Sequence, residues 1–266
     1  VARDLLPTGS LTLIRRALAA GFEGTIQAYM DFPPDWMLLG ALVPGNSSAT
    51  VDPKYYDVLA RYYAKYVQAY AAHGVHIDFL EAFNEPTDSY TRMDAPQLAA
   101  FLGRHLGPTF ERLGLHPRTQ LTYGGQATRA SALEVVPAVM ADPIAEKYMD
   151  LIAYHGYDCQ FEDDGSCDDA RQRYDAIASL HARYPSKRLW LTEICYAYNG
   201  DDPNCTHAAT MRECVDYPRD PALAPPLPRR DFADGATWGH RLVRELQSGA
   251  SGWIYWNLLL DAQGGP

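Results

Sequence analysis

Hydrophobic runs of five to seven residues alternate along this chain with longer stretches in which apolar residues recur at intervals of three and four. The runs near 25 to 30, 77 to 83, 119 to 123, 150 to 156, 188 to 193 and 252 to 258 read as six strands. Between them, helical spacing is found near 10 to 20, from Asp52 to Gly74, from Asp94 to Gly114, and near 131 to 147, 169 to 184 and 231 to 248. Strands alternating with helices argue for parallel βα units and against a sandwich.

Local signals sharpen several of these elements. Asp52-Pro53 places an N-cap before a proline at the first helical position, and Gly74 stands where that helix should stop. Tyr55, Leu59, Tyr62, Tyr66 and Tyr70 form its expected core-facing stripe. Asp94 and Gln97 have the spacing of a capping box. In the last helix Trp238, Leu242, Val243 and Leu246 share one side. Residues 196 to 230, with the run Pro221-Ala-Leu-Ala-Pro-Pro-Leu-Pro228, are too long and too rich in proline for a simple connector, and they read as an active-site loop.

The fold class this predicts is α/β, a (β/α)8 barrel. A closed barrel of that kind has eight strands, and six would leave two unpaired edges and an open core. The expectation is therefore a single partial barrel over residues 1–266, lacking its first two βα units.

Composition narrows the function. With 47% hydrophobic and 21% charged residues the chain is globular in character, and no apolar run reaches the roughly 20 residues that span a bilayer. A net charge of −10 argues against nucleic acid and anionic membrane surfaces as partners. Cys159 with Cys167, and Cys205 with Cys214, could each close a short loop, while Cys195 reads as a small packing residue. Asn46-Ser-Ser48 and Asn204-Cys-Thr206 are glycosylation sequons, which have meaning only in a secretory pathway. The expected location is secreted or lysosomal, with any targeting segment upstream of Val1. No Cys-x-x-Cys pair or His-Glu-x-x-His helix is present, so neither a metal nor another cofactor is expected.

The candidate chemistry lies in two acids that each follow a strand-like run: Glu85 in Ile77-Asp-Phe-Leu-Glu-Ala-Phe-Asn-Glu-Pro86 and Glu193 in Arg188-Leu-Trp-Leu-Thr-Glu193. In a βα barrel the carboxyl ends of the strands share one rim, where side chains from different strands converge. One protonated and one ionised carboxyl are what hydrolysis of a glycosidic bond requires. An arbitrary pair among the 33 Asp and Glu would have no such meaning. The position after a strand, with Asn84 able to bind a sugar hydroxyl and Pro86 stiffening the turn, is what singles these two out.

Asn84-Glu85-Pro86, Thr192-Glu193 and Trp256-Asn-Leu-Leu-Leu-Asp-Ala-Gln-Gly-Gly-Pro266 occur in this order. So do Phe101-Leu-Gly-Arg-His-Leu-Gly-Pro108, Asp142-Pro143 with Lys147-Tyr148, and Ile152-Ala-Tyr-His155. Together they resemble glycoside hydrolase family 30, the glucosylceramidase group, over residues 10 to 266.

The resemblance implies a retaining β-glycosidase acting on a carbohydrate or glycolipid, with Glu85 as acid/base and Glu193 as nucleophile. Asn84 would hold the 2-hydroxyl of the sugar, Tyr157 would orient Glu193, and Trp256 would stack beneath the ring. Gln126, His155 and Asn257 would line the pocket; for each of these residues the competing reading is a core or rim position. Strands three to eight of the family's barrel would be present, and its β-rich side domain absent. Asp31, in Ala28-Tyr-Met-Asp-Phe-Pro-Pro-Asp-Trp36, stands where glucosylceramidases carry an aromatic, which weakens the expectation of glucose specificity. A β-1,6-glucanase or xylan-directed hydrolase of the same family, and a catalytically silent carbohydrate-binding barrel, are the alternatives.

Overall fold

The computed structural model describes residues 5–6, 9–41, 49–88, 91–158, 169–194 and 232–256. All five cysteines, both sequons, the 196 to 230 loop and Asn257 lie outside them. The chain divides into two compact units, one formed by residues 1–43, 47–124 and 135–151, the other by 44–46, 125–134 and 152–266.

In the first unit, β1 (Gln27–Tyr29), β4 (Phe79–Glu81) and β5 (Gln120–Thr122) form a sheet in the order β1-β4-β5. Both pairings are parallel, with Tyr29 opposite Glu81 and Glu81 opposite Thr122, so all three strands end at the same level. A short antiparallel pair, β2 (Leu38–Leu39) with β3 (Thr50–Val51), lies in a stretch whose pattern predicts no strand. α1 (Ser10–Ala19) precedes β1, and α2 (Tyr56–Ala72) connects toward β4. Asp52 caps the turn that opens α2 by accepting from the Lys54 amide, and Gly74 follows its end at φ +79°.

The stripe that the spacing predicts along α2 is buried at Leu59 and Tyr70 and turns outward at Tyr62. Tyr62 is 47% exposed, whereas Tyr56, Leu59, Tyr63, Val67 and Tyr70 are buried. The Tyr63 hydroxyl donates to the Ala82 carbonyl just beyond β4, tying helix to strand.

The helix expected from Asp94 to Gly114 starts as predicted. In α3 (Ala95–Ala100) Asp94 accepts from the Gln97 amide, and the Gln97 side chain accepts from the Asp94 amide. Residues Phe101–Leu106 then widen into a π-helical turn before α4 (Gly107–Arg112). Pro108, which has no amide hydrogen to donate, falls in the first turn of α4. Two glycines there admit a neighbour. A Cβ on Gly103 would lie 2.8 Å from the Ala145 amide nitrogen, and one on Gly107 would lie 2.2 Å from the Tyr148 ring.

The single helix expected near 131 to 147 is two. α5 (Arg129–Met140) ends before Asp142, and α6 (Pro143–Tyr148) starts anew with Asp142 accepting from the Ile144 and Ala145 amides. An aspartate cap before a proline starts a helix more readily than it continues one.

In the second unit β6 (Leu151–His155), β7 (Arg188–Glu193) and β8 (Gly252–Trp253) are adjacent in that order. β7 and β8 run parallel with Trp190 opposite Gly252, where a Cβ would fall 2.3 Å from the indole. β6 is buried throughout and β7 from Leu189 to Thr192, as their continuous apolar runs require. α7 (Tyr174–Arg183) precedes β7 and α8 (Phe232–Gln247) precedes β8. The apolar stripe expected in α8 is not its buried side: Val243 and Leu246 are 50% and 54% exposed, and among the described side chains of this helix Glu245 is the fully buried one. Among the described residues, no helix is long and apolar enough to cross a membrane.

Candidate active site

The first unit supplies the turn that carries Glu85. β4 is fully buried, and Ala82 and Phe83 continue its apolar run to the strand's end. There the Asn84 amide donates to the Met30 carbonyl at 3.1 Å, which holds the turn to the segment after β1. Glu85 itself adopts φ +44°, a left-handed conformation that costs a non-glycine residue about 1–2 kcal/mol. Neighbours maintain it: the Asp88 amide donates to the Glu85 carbonyl and the Met93 amide to that of Pro86. The Asn84 Oδ1 is buried and has no hydrogen-bond partner among the described residues.

Gly124, after β5, presses on this turn. A Cβ there would lie 2.3 Å from the Phe83 carbonyl oxygen and 3.3 Å from the Pro86 ring. Gly124→Ala is therefore expected to displace the Glu85 turn, lowering stability by about 2 kcal/mol. Turnover should fall by more than the loss of folded protein explains; denaturant midpoints and kcat measured together check this.

The second unit brings together Glu193, Tyr157 and His155. Glu193 closes β7, and its half-buried carboxylate accepts from the Tyr157 hydroxyl at 2.9 Å. Tyr157 follows β6 by two residues, so β6 and β7, lying side by side, fix both partners. The Nδ1 of buried His155 is 3.9 Å from the same carboxylate oxygen, beyond hydrogen-bonding distance, and its ring meets that of Tyr157 edge to face. Gln126 is fully buried and accepts from the His155 amide through its carbonyl at 2.6 Å. Trp256, half-buried, is tied by its amide to the Ile194 carbonyl, one residue beyond Glu193.

A polar cluster beside these residues is not legible in the sequence pattern. The Arg129 guanidinium, 2% exposed, binds Asp158 at 2.8 Å, Gln172 at 2.9 Å and the Glu245 carboxylate. The other Glu245 oxygen accepts from the Tyr154 hydroxyl at 2.5 Å. Tyr174 packs its ring against the guanidinium, 4.7 Å from its centre. Burial by itself lowers the pKa of Arg129, but the Glu245 and Asp158 carboxylates outweigh it and the net shift is upward. Burial, and next the Glu245 charge, push the Tyr154 hydroxyl well above its usual value, so it stays a donor.

No family model matches the chain. It is 25% identical over 268 residues to putative glucosylceramidase 4 of Caenorhabditis elegans, covering 96% of this chain and 45% of that protein. To the lysosomal acid glucosylceramidase of Mus musculus it is 24% identical over 243 residues, 88% of this chain and 41% of the other. An endo-1,6-beta-D-glucanase of Neurospora crassa is 25% identical over 167 residues, 60% of this chain and 31% of that one. The chain thus spans less than half the length of these relatives.

Among solved structures, SrfJ of Salmonella typhimurium superposes with a TM-score of 0.71 at 22% identity, covering 96% of this chain and 49% of that one. A family 30 endoxylanase of Clostridium papyrosolvens superposes with a TM-score of 0.65 at 16% identity, covering 95% and 53%. The fold is therefore that of the glycoside hydrolase family 30 enzymes. In sequence the chain is similar to glucosylceramidases.

Proposed function

We propose that the protein is a retaining β-glycoside hydrolase in which Glu193 attacks the anomeric carbon and Glu85 protonates the leaving oxygen. Water then releases the sugar with Glu85 acting as base. The observation that carries this reading is the 2.9 Å hydrogen bond from Tyr157 to Glu193, which orients the carboxylate and stabilises its ionised, nucleophilic form. The strained backbone at Glu85 supports it from the other unit, since such strain gathers at functional turns. The unpartnered Asn84 Oδ1 suits an acceptor for a sugar hydroxyl. Trp256 would stack beneath the ring, and Gln126, His155 and Asn257 would complete the pocket.

In this reading the six parallel-type strands are strands three to eight of an eight-stranded barrel. The substrate is a β-linked glucoside of the glucosylceramide kind, supported by likeness to glucosylceramidases over 88 to 96% of the chain. A β-1,6-glucan is the second reading, supported by the Neurospora likeness and by Asp31 where an aromatic would grip glucose. A secreted or lysosomal location accords with the mouse relative.

Hydrolysis by the full-length protein across aryl β-glycosides, glucosylceramide and β-1,6-glucan, with the first-formed anomer read by proton NMR, tests the reaction and the substrate together. Retention of the β-anomer is expected. An inverted first product would overturn the double displacement.

A further inference from the structure

The segment Tyr154-His155-Gly156-Tyr157-Asp158 is held from both ends by one buried group. Tyr154 reaches Glu245, Glu245 binds Arg129, and Arg129 binds Asp158. Asp158 also accepts from the amides of Arg129 and Ala130, so the same carboxylate meets the start of α5. Between the anchored ends there is no slack. A Cβ on Gly156 would lie 2.8 Å from Ile194, 3.1 Å from Leu191 and 3.3 Å from the Arg129 guanidinium. Between those ends, His155 and Tyr157 are the residues that approach Glu193.

Burying one guanidinium and two carboxylates at 2% exposure or less is costly, and apolar residues of similar volume would pack the same space at least as well. A cluster retained for packing alone has no need of charge. A cluster that fixes where a neighbouring hydroxyl points does, because charge-assisted hydrogen bonds define direction as well as distance.

We propose that Arg129 and Glu245 are positioning residues that set the hydrogen bond from Tyr157 to Glu193. They act through Tyr154 and Asp158 and do not themselves meet substrate. The inference rests on Glu193 being the nucleophile for its catalytic meaning, but the positioning itself can be read without turnover.

The test is a titration of the Glu193 carboxyl in full-length protein carrying δ-13C glutamate, with the resonance assigned by its loss in Glu193→Gln. His155, a titratable group that also approaches Glu193, is followed alongside. Tyr157→Phe removes a hydrogen bond to the ionised form and should raise the Glu193 midpoint by about one pH unit. Arg129→Lys, which keeps one charge but cannot span Asp158, Gln172 and Glu245, should raise it in the same direction. So should Tyr154→Phe, which leaves the ion pairs intact and serves where Arg129→Lys does not fold.

In the Tyr157→Phe background neither variant should add a further shift, because the bond they control is gone. Glu245→Gln, whose amide offers one acceptor oxygen where the carboxylate offers two, loses the bond to Arg129 or to Tyr154 and should raise the midpoint in the same direction. An unchanged Glu193 midpoint in folded Arg129→Lys and Tyr154→Phe, or shifts that add to that of Tyr157→Phe, would overturn the proposal and leave the cluster a purely structural tie. Undiminished turnover in Glu193→Gln would instead sink the nucleophile assignment, without touching the titration result.

Discussion

Replacing Glu193 by glutamine in the full-length protein is expected to lower kcat by roughly four orders of magnitude or more while leaving sugar binding within a few-fold. Glutamine keeps the shape of the side chain and can still accept from the Tyr157 hydroxyl, which stands 2.9 Å from Oε1, so the fold around β7 should persist. What it loses, in the proposed mechanism, is the electron pair that would form the glycosyl-enzyme bond. Without that bond the reaction has no first step, and proton donation by the other acid cannot compensate. Steady-state kinetics with an aryl β-glycoside and calorimetric binding of the sugar read the two quantities separately. A catalytically silent binding barrel would show no turnover before the substitution and the same affinity after it.

Glu85→Gln should behave differently, and the difference is diagnostic. A general acid contributes about a hundredfold to ten-thousandfold where the leaving group is a poor one, such as a ceramide or sugar hydroxyl. For an activated aryl glycoside, whose phenolate leaves unaided, the first step needs little protonation. Loss is then confined to the second step, where Glu85 would activate water. We therefore expect a large fall in kcat/KM on the natural type of substrate, a small one on the activated aryl glycoside, and a glycosyl-enzyme that accumulates with the latter. Mass spectrometry of the quenched reaction detects that adduct. Equal losses on both leaving groups would remove Glu85 from the acid/base role.

Much of the local structure is written in short-range chemistry. The Asp94–Gln97 box and the Asp52-Pro53 start are legible because a cap depends only on residues three apart. Each of the six apolar runs holds a strand near its expected place, because buried strands need uninterrupted apolar side chains. The α2 stripe is misread for an equally local reason. With tyrosines at 55, 56, 62, 63, 66 and 70, two stripes about 100° apart fit the same spacing, and only packing against β4 selects Tyr63 over Tyr62.

For the candidate site the division is similar. That Glu193 ends a strand, that Glu85 follows one with Asn84 beside it, and that Tyr157 and Trp256 follow two others is determined by the chain alone, because alternating elements dictate where strand ends fall. The backbone strain at Glu85 and the pressure of Gly124 on its turn belong to the tertiary structure, since they arise where two parallel strands end side by side. So does the burial of Glu245. By helical spacing it is a charge beside apolar Val243 and Leu246, and it turns inward because Arg129, 116 residues away, offers a buried partner. A charge is stable in the interior only beside its complement, and no periodicity within one helix can reveal a complement carried by another.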